Sequence, residues 1–161
     1  MLYKLKIIKK MNIFKLSVFA FLTVIFSFVQ FFNLSIFGVK PNFAIAIIAA
    51  VSFFVSDVWE GVFLVFLSAF ILKFSPYLDR EILIFSIAGI LAAVFSKYLP
   101  WRHLVSNIAV TLLYTLIFYL FLFPAGIISL VFLQEVFYNI LISSAVFLGL
   151  GQTFPQGKLY N

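Results

Sequence analysis

The residue of this sequence best placed to do chemistry is Glu135, a carboxylate set near the middle of the last long apolar run of the chain. An ionisable side chain there costs about 2.5–3.5 kcal/mol on insertion scales, so it must face protein or water. Asn139 and Ser143 follow at intervals of four, which puts carboxylate, amide and hydroxyl on one helix face. Gln134 and Tyr138 sit beside that stripe. The preceding apolar run repeats the pattern in Asn107, Thr111 and Thr115, and the two polar faces are expected to meet and hydrogen-bond. Such an arrangement could serve as a proton, ion or solute site or as a docking face for a partner. It could equally be interhelical glue, worth about 0.6–2 kcal/mol per hydrogen bond.

Other constellations are weaker. Asp57 and Glu60 are three apart, the spacing of a paired-carboxylate site, but in a turn they read more simply as solvated charges. With no cysteine and the single His103, the chain has neither thiolate nor histidine-based metal sites, and no cofactor is expected. It also lacks a phosphate-binding glycine loop and a nucleophile elbow. Nothing here argues for an enzyme. Ala88, Ala92 and Ser96, with Gly89 and Ala93, form small-residue stripes along which another helix could approach closely.

The elements that hold these residues follow from composition. The chain has 161 residues, of which 65% are hydrophobic and 10% charged, with a mean hydropathy of +1.23. A soluble domain is about 45–50% apolar, so a water-soluble globule is excluded. Membrane lipid is the expected surroundings. The net charge of +6 would in a soluble protein raise nucleic acid as a partner; in a membrane protein it reads as an orientation signal. The apolar runs are continuous, without the alternation of barrel strands. The expected fold is all-α, a polytopic integral membrane bundle of about six transmembrane helices over 16–34, 42–56, 61–74, 82–99, 104–123 and 126–149. The second and third are short for a span of about 20 residues, which leaves them to extend through the Asp57–Glu60 turn, lie obliquely or be shielded by neighbouring helices; a five-span arrangement, with 42–74 entering and leaving as one broken unit, is the alternative. Residues 1–15 form a basic cytoplasmic segment, 16–149 a single membrane domain and 150–161 a short tail.

With the N-terminus cytoplasmic, Lys4, Lys6, Lys9, Lys10, Lys15, Lys97, Arg102 and Lys158 fall inside and Lys40, Lys73 and Arg80 outside, as the positive-inside rule requires. Met11 is an alternative start that would remove four of those lysines. Trp59, Trp101, Tyr77, Tyr98 and Tyr160 fall near span ends, where an aromatic belt is expected.

The stretch from Gln30 through Gly38, Pro41 and Asn42 into Phe43-Ala-Ile-Ala-Ile-Ile resembles the opening of the rod shape-determining protein MreD family, in which a first helix ends near a Gln and a short loop leads through Pro-Asn to an apolar second helix. Gly61 to Pro76 looks like that family's third helix, with Ala69 where Gly is usual and Lys73 where Asp is usual. Gln134-Glu135 followed by Asn139 is similar to its final helix. The resemblance implies a non-enzymatic component of the bacterial cytoplasmic membrane that associates with a bitopic MreC-like protein and, through it, with MreB-like actin and the peptidoglycan synthases. A small-molecule substrate is then not expected. Gly89 and Ala93, and Glu135 and Asn139, would hold the partner's helix. The competing expectation, by fold analogy alone, is the substrate-binding subunit of an energy-coupling-factor vitamin transporter; against it, 16–32 carries a single alanine, Ala20, where such subunits carry a small-residue docking motif.

Overall fold

The computed structural model describes residues 2–32, 34–73, 79–99 and 104–154, with the side chains of 2–12 left aside. Expectations placed on Asn33, Ser75, Pro76, Tyr77, Trp101, Arg102, His103, Lys158 and Tyr160, and on the side chains of Lys4, Lys6, Lys9 and Lys10, lie outside the described residues. The described chain is an all-α bundle: α1 (Leu2–Val29), α2 (Phe43–Val51), α3 (Val58–Leu72), α4 (Arg80–Tyr98), α5 (Leu104–Leu122) and α6 (Leu130–Thr153), with short 3-10 turns at Gln30–Phe32 and Pro124–Ile128. Four of these helices are long and apolar enough to cross a membrane: α1, over Ile13–Phe32, α4, α5 and α6. Large apolar side chains such as Phe21, Phe70 and Leu148 point outward, as lipid-facing residues do. The molecule is a helical membrane protein.

The boundaries differ most from the sequence expectation in three places. Helix α1 begins at Leu2, within the basic segment, because no Pro or Gly interrupts it and lysine is a good helix former. Helix α6 is displaced by four residues at both ends from the expected 126–149: it begins at Leu130, after the 3-10 turn at Pro124–Ile128, and continues to Thr153. The third difference concerns the second span, expected at 42–56: its helix is only 9 residues long, about 14 Å at 1.5 Å per residue.

That short helix is the centre of the fold. Every residue from Ala44 to Val55 is buried, and α2 packs against each of the other five helices. Ala44, Ala46, Ala49 and Ala50 let those helices approach its backbone closely. A helix that never meets lipid has no need of full bilayer length, because its neighbours can satisfy its ends. Beyond Val51 the chain continues to wind through Phe53 and Phe54, which pack edgewise or tilted on Phe147 of α6 with centroids 5.7 and 5.2 Å apart.

The small-residue stripes of α4 are used inside the chain. A Cβ on Gly89 would stand 2.7 Å from the Tyr114 hydroxyl and 3.0 Å from both Val65 methyls; Ala93 lies against Gly61 of α3. Both residues are buried. Gly89 and Ala93 therefore seat α3 and α5 inside the chain. Asp57 and Glu60 likewise act locally. Asp57 accepts from the Val58 amide at 2.6 Å and Glu60 from the Ser56 amide at 2.7 Å, so the two carboxylates cap the start of α3. Trp59 and Tyr98 are exposed at helix ends, as belt residues would be.

Candidate functional site

A helix end buried in a membrane must find partners for its first amides, since water is not there to supply them. At the start of α2 three side chains do this. Asn42 caps its own helix, its Oδ1 accepting from the Ile45 amide at 3.1 Å. Gln30, from the 3-10 turn after α1, accepts from the Phe43 amide at 2.9 Å. Asn139 of α6 accepts from the Asn42 amide at 2.7 Å. Asn139 lies about 13 Å along α6 from Leu130, so the start of α2 sits well inside the bundle. Pro41, buried before it, fixes the entry angle and has no amide to satisfy.

Asn139 joins this cap to a polar seam between α5 and α6. Its amide nitrogen donates to Thr115 Oγ1 at 3.2 Å. One turn further in, Ser143 donates to Asn107 Oδ1 and lies 3.0 Å from Thr111 Oγ1. One turn outward, Tyr119 donates to the Glu135 carboxylate. The two faces picked out in the sequence do meet, in antiparallel register along the helix pair. The series extends one step beyond the residues singled out in the sequence, because Tyr119 continues Asn107, Thr111, Thr115 at the same interval of four.

Glu135 is placed differently from expectation. It lies in the second turn of α6, about 8 Å from Leu130, and not at the middle of the span. Its side chain is buried, at 9% exposure. Tyr119 stabilises it by hydrogen bonding in place of water. Gln134, half-buried, stands outside the seam. The site thus unites Asn42, Asn139 and Glu135 with Gln30, Thr115 and Tyr119, and leaves out Gly89 and Ala93.

The opposite end of α2 is closed in the same manner. Ser96 donates to the Ser52 carbonyl at 3.0 Å and Lys97 donates to the Val55 carbonyl, so α4 supplies two donors to the last carbonyls of the buried segment. The sequence does not point to either residue for this role, because nothing local shows that α2 ends inside the bundle.

Beside the cap, Gln30, Asn42, Leu72, Glu81, Ile82, Phe85 and Phe118 line a cavity of about 170 Å³. Ligand pockets are usually about 300–1,000 Å³, so this one suits water or an ion better than a metabolite. Among the described residues no group of three or more His, Cys, Asp or Glu side chains is placed to hold a metal. What the arrangement does chemically is fix three helices to the start of α2 through directional hydrogen bonds. No protein-family model matches this chain, and neither the curated proteins nor the solved structures contain a match to it.

Proposed function

We propose that the protein is a non-enzymatic membrane scaffold of the bacterial cell-elongation machinery, similar in role to MreD. The observation that carries the proposal is the convergence of the resembling segments. Gln30 and Asn42 come from one stretch that resembles that family and Asn139 from another, far along the chain, and all three bond to the first amides of α2. A motif spread over 110 positions of sequence that closes on one structural joint supports a shared architecture. In this reading the chain lies in the bacterial cytoplasmic membrane with its basic N-terminus in the cytoplasm. Its partner is a bitopic MreC-like protein, with MreB-like actin and peptidoglycan synthases recruited through it.

The vitamin-transporter alternative gains no support from the cavity beside α2, whose volume of about 170 Å³ is small for a vitamin. Depletion of the protein in its rod-shaped host, with cell shape scored by microscopy and partners recovered by crosslinking in the membrane, tests the proposal. Rounded cells and recovery of an MreC-like protein are expected. Normal shape with loss of uptake of one vitamin would overturn the scaffold reading.

A further inference from the structure

Helices α1 and α6 leave a gap between them that opens to the bilayer. One wall is Phe14, Val18, Leu22 and Phe26, at successive intervals of four on α1; the other includes Val146, Gly149 and Thr153 of α6. The gap encloses about 570 Å³ and is almost wholly apolar. A Cβ built on Gly149 meets nothing within 4 Å, so this glycine leaves open space and does not seat another helix of the chain.

Two observations specify the occupant. The first is length: Phe14 to Phe26 covers about 18 Å of helix axis, slightly more than half of a hydrocarbon core of about 30 Å. A transmembrane helix of a partner would need a groove twice as long, whereas one acyl chain of one leaflet needs no more than this. The second is charge. The groove ends at Phe14 beside Lys15, whose ammonium lies 5.6 Å over the Phe19 ring; Phe19 in turn packs edgewise on Phe154, which lines the groove. Lys4, Lys6, Lys9 and Lys10 precede on the same helix, and no acidic residue occurs before Asp57. Lysines that flank an apolar cleft at one membrane face attract anionic headgroups.

We infer that the α1–α6 groove is a binding site for one anionic phospholipid of the leaflet that faces the N-terminus, with an acyl chain along Val18, Leu22 and Gly149 and the headgroup phosphate at the Lys15 end. The inference is independent of the scaffold reading.

The test is native mass spectrometry of the full chain, delipidated in neutral detergent and offered dioleoylphosphatidylglycerol or dioleoylphosphatidylcholine. One retained phosphatidylglycerol per chain is expected, favoured about fivefold or more over phosphatidylcholine, the factor that one lysine near an anionic surface supplies. Gly149→Leu, at a position where a Cβ meets nothing within 4 Å, adds bulk to the groove and should abolish that retention while keeping the melting temperature. Thr153→Leu, at the mouth, is the second variant should Gly149→Leu fold poorly. Lys15→Gln should reduce the preference between the lipids without preventing retention. Equal retention of both lipids, or undiminished phosphatidylglycerol in the filled variants, would overturn the inference. So would a stoichiometric membrane protein displaced from wild type by the filled groove with no lipid retained.

Discussion

Asn139→Ala separates the joint at the start of α2 from ordinary contact between membrane helices. The substitution removes the acceptor of the Asn42 amide and the donor to Thr115 together. Thr115 keeps its own bond to the Thr111 carbonyl at 2.9 Å, so its loss is small. The Asn42 amide has no other partner among the described residues, and an unsatisfied buried donor costs about 1–3 kcal/mol. Adding the packing lost from a fully buried side chain gives an expected destabilisation of about 2–4 kcal/mol. Asn139→Asp keeps an acceptor for Asn42 but sets a second carboxylate against Glu135, and should be no better. The assay is reversible unfolding in detergent–bicelle mixtures, followed by steric trapping or by circular dichroism. Ser144→Ala is the control, because the Ser144 hydroxyl is buried without a hydrogen-bond partner among the described residues. Interhelical hydrogen bonds in membranes average about 0.6 kcal/mol in double-mutant cycles. A loss no greater than that for Asn139→Ala would refute the capping argument and reduce Asn139 to ordinary glue.

Three further outcomes are expected. Gly89→Ala should destabilise by about 1–3 kcal/mol, since its Cβ must displace Tyr114 or Val65, whereas Gly149→Ala should leave the melting temperature unchanged; equal effects would contradict the packing described. Glu135→Ala, which strands the Tyr119 hydroxyl, should lower folding yield or partner recovery more than Asp57→Ala or Glu60→Ala, whose cap at the start of α3 is solvent-exposed; wild-type behaviour of Glu135→Ala would contradict this. Phe37, with φ of 50° before Gly38 at 84°, closes a tight turn between Ile36 and Val39 in a backbone region that asparagine tolerates better. Phe37→Asn should therefore stabilise by about 1 kcal/mol in the same unfolding assay.

How much of this could be read in the sequence varies by element. The seam between α5 and α6 was legible because both faces repeat every four residues and a short connection forces the helices antiparallel. Tyr119 belongs to the same series, one turn beyond Thr115. The small-residue stripe of α4 was legible as a close-packing face, but not its occupant: spacing states that a backbone can approach and is silent on whose. Lys97 looked like an orientation charge at a span end, while its donation to the Val55 carbonyl depends on where α2 stops.

Hydropathy and period alone determined that this is an all-α membrane protein, which segments are helical, and that α5 and α6 share a polar interface. These follow from the lipid solvent, which demands internally satisfied backbone and leaves only long apolar helices or closed barrels. Tertiary structure alone decided that the second apolar segment is a 9-residue core helix rather than a span. The sequence reads Phe-Ala-Ile-Ala-Ile-Ile-Ala-Ala-Val, equally suited to lipid or to protein, because in a membrane both surroundings are apolar. The difference lies in the polar groups at its ends. Gln30 and Asn139 stand 12 and 97 positions from Asn42, and Lys97 stands 42 from Val55. Only the packing of α1, α4 and α6 around α2 brings those donors and acceptors to the backbone groups they satisfy.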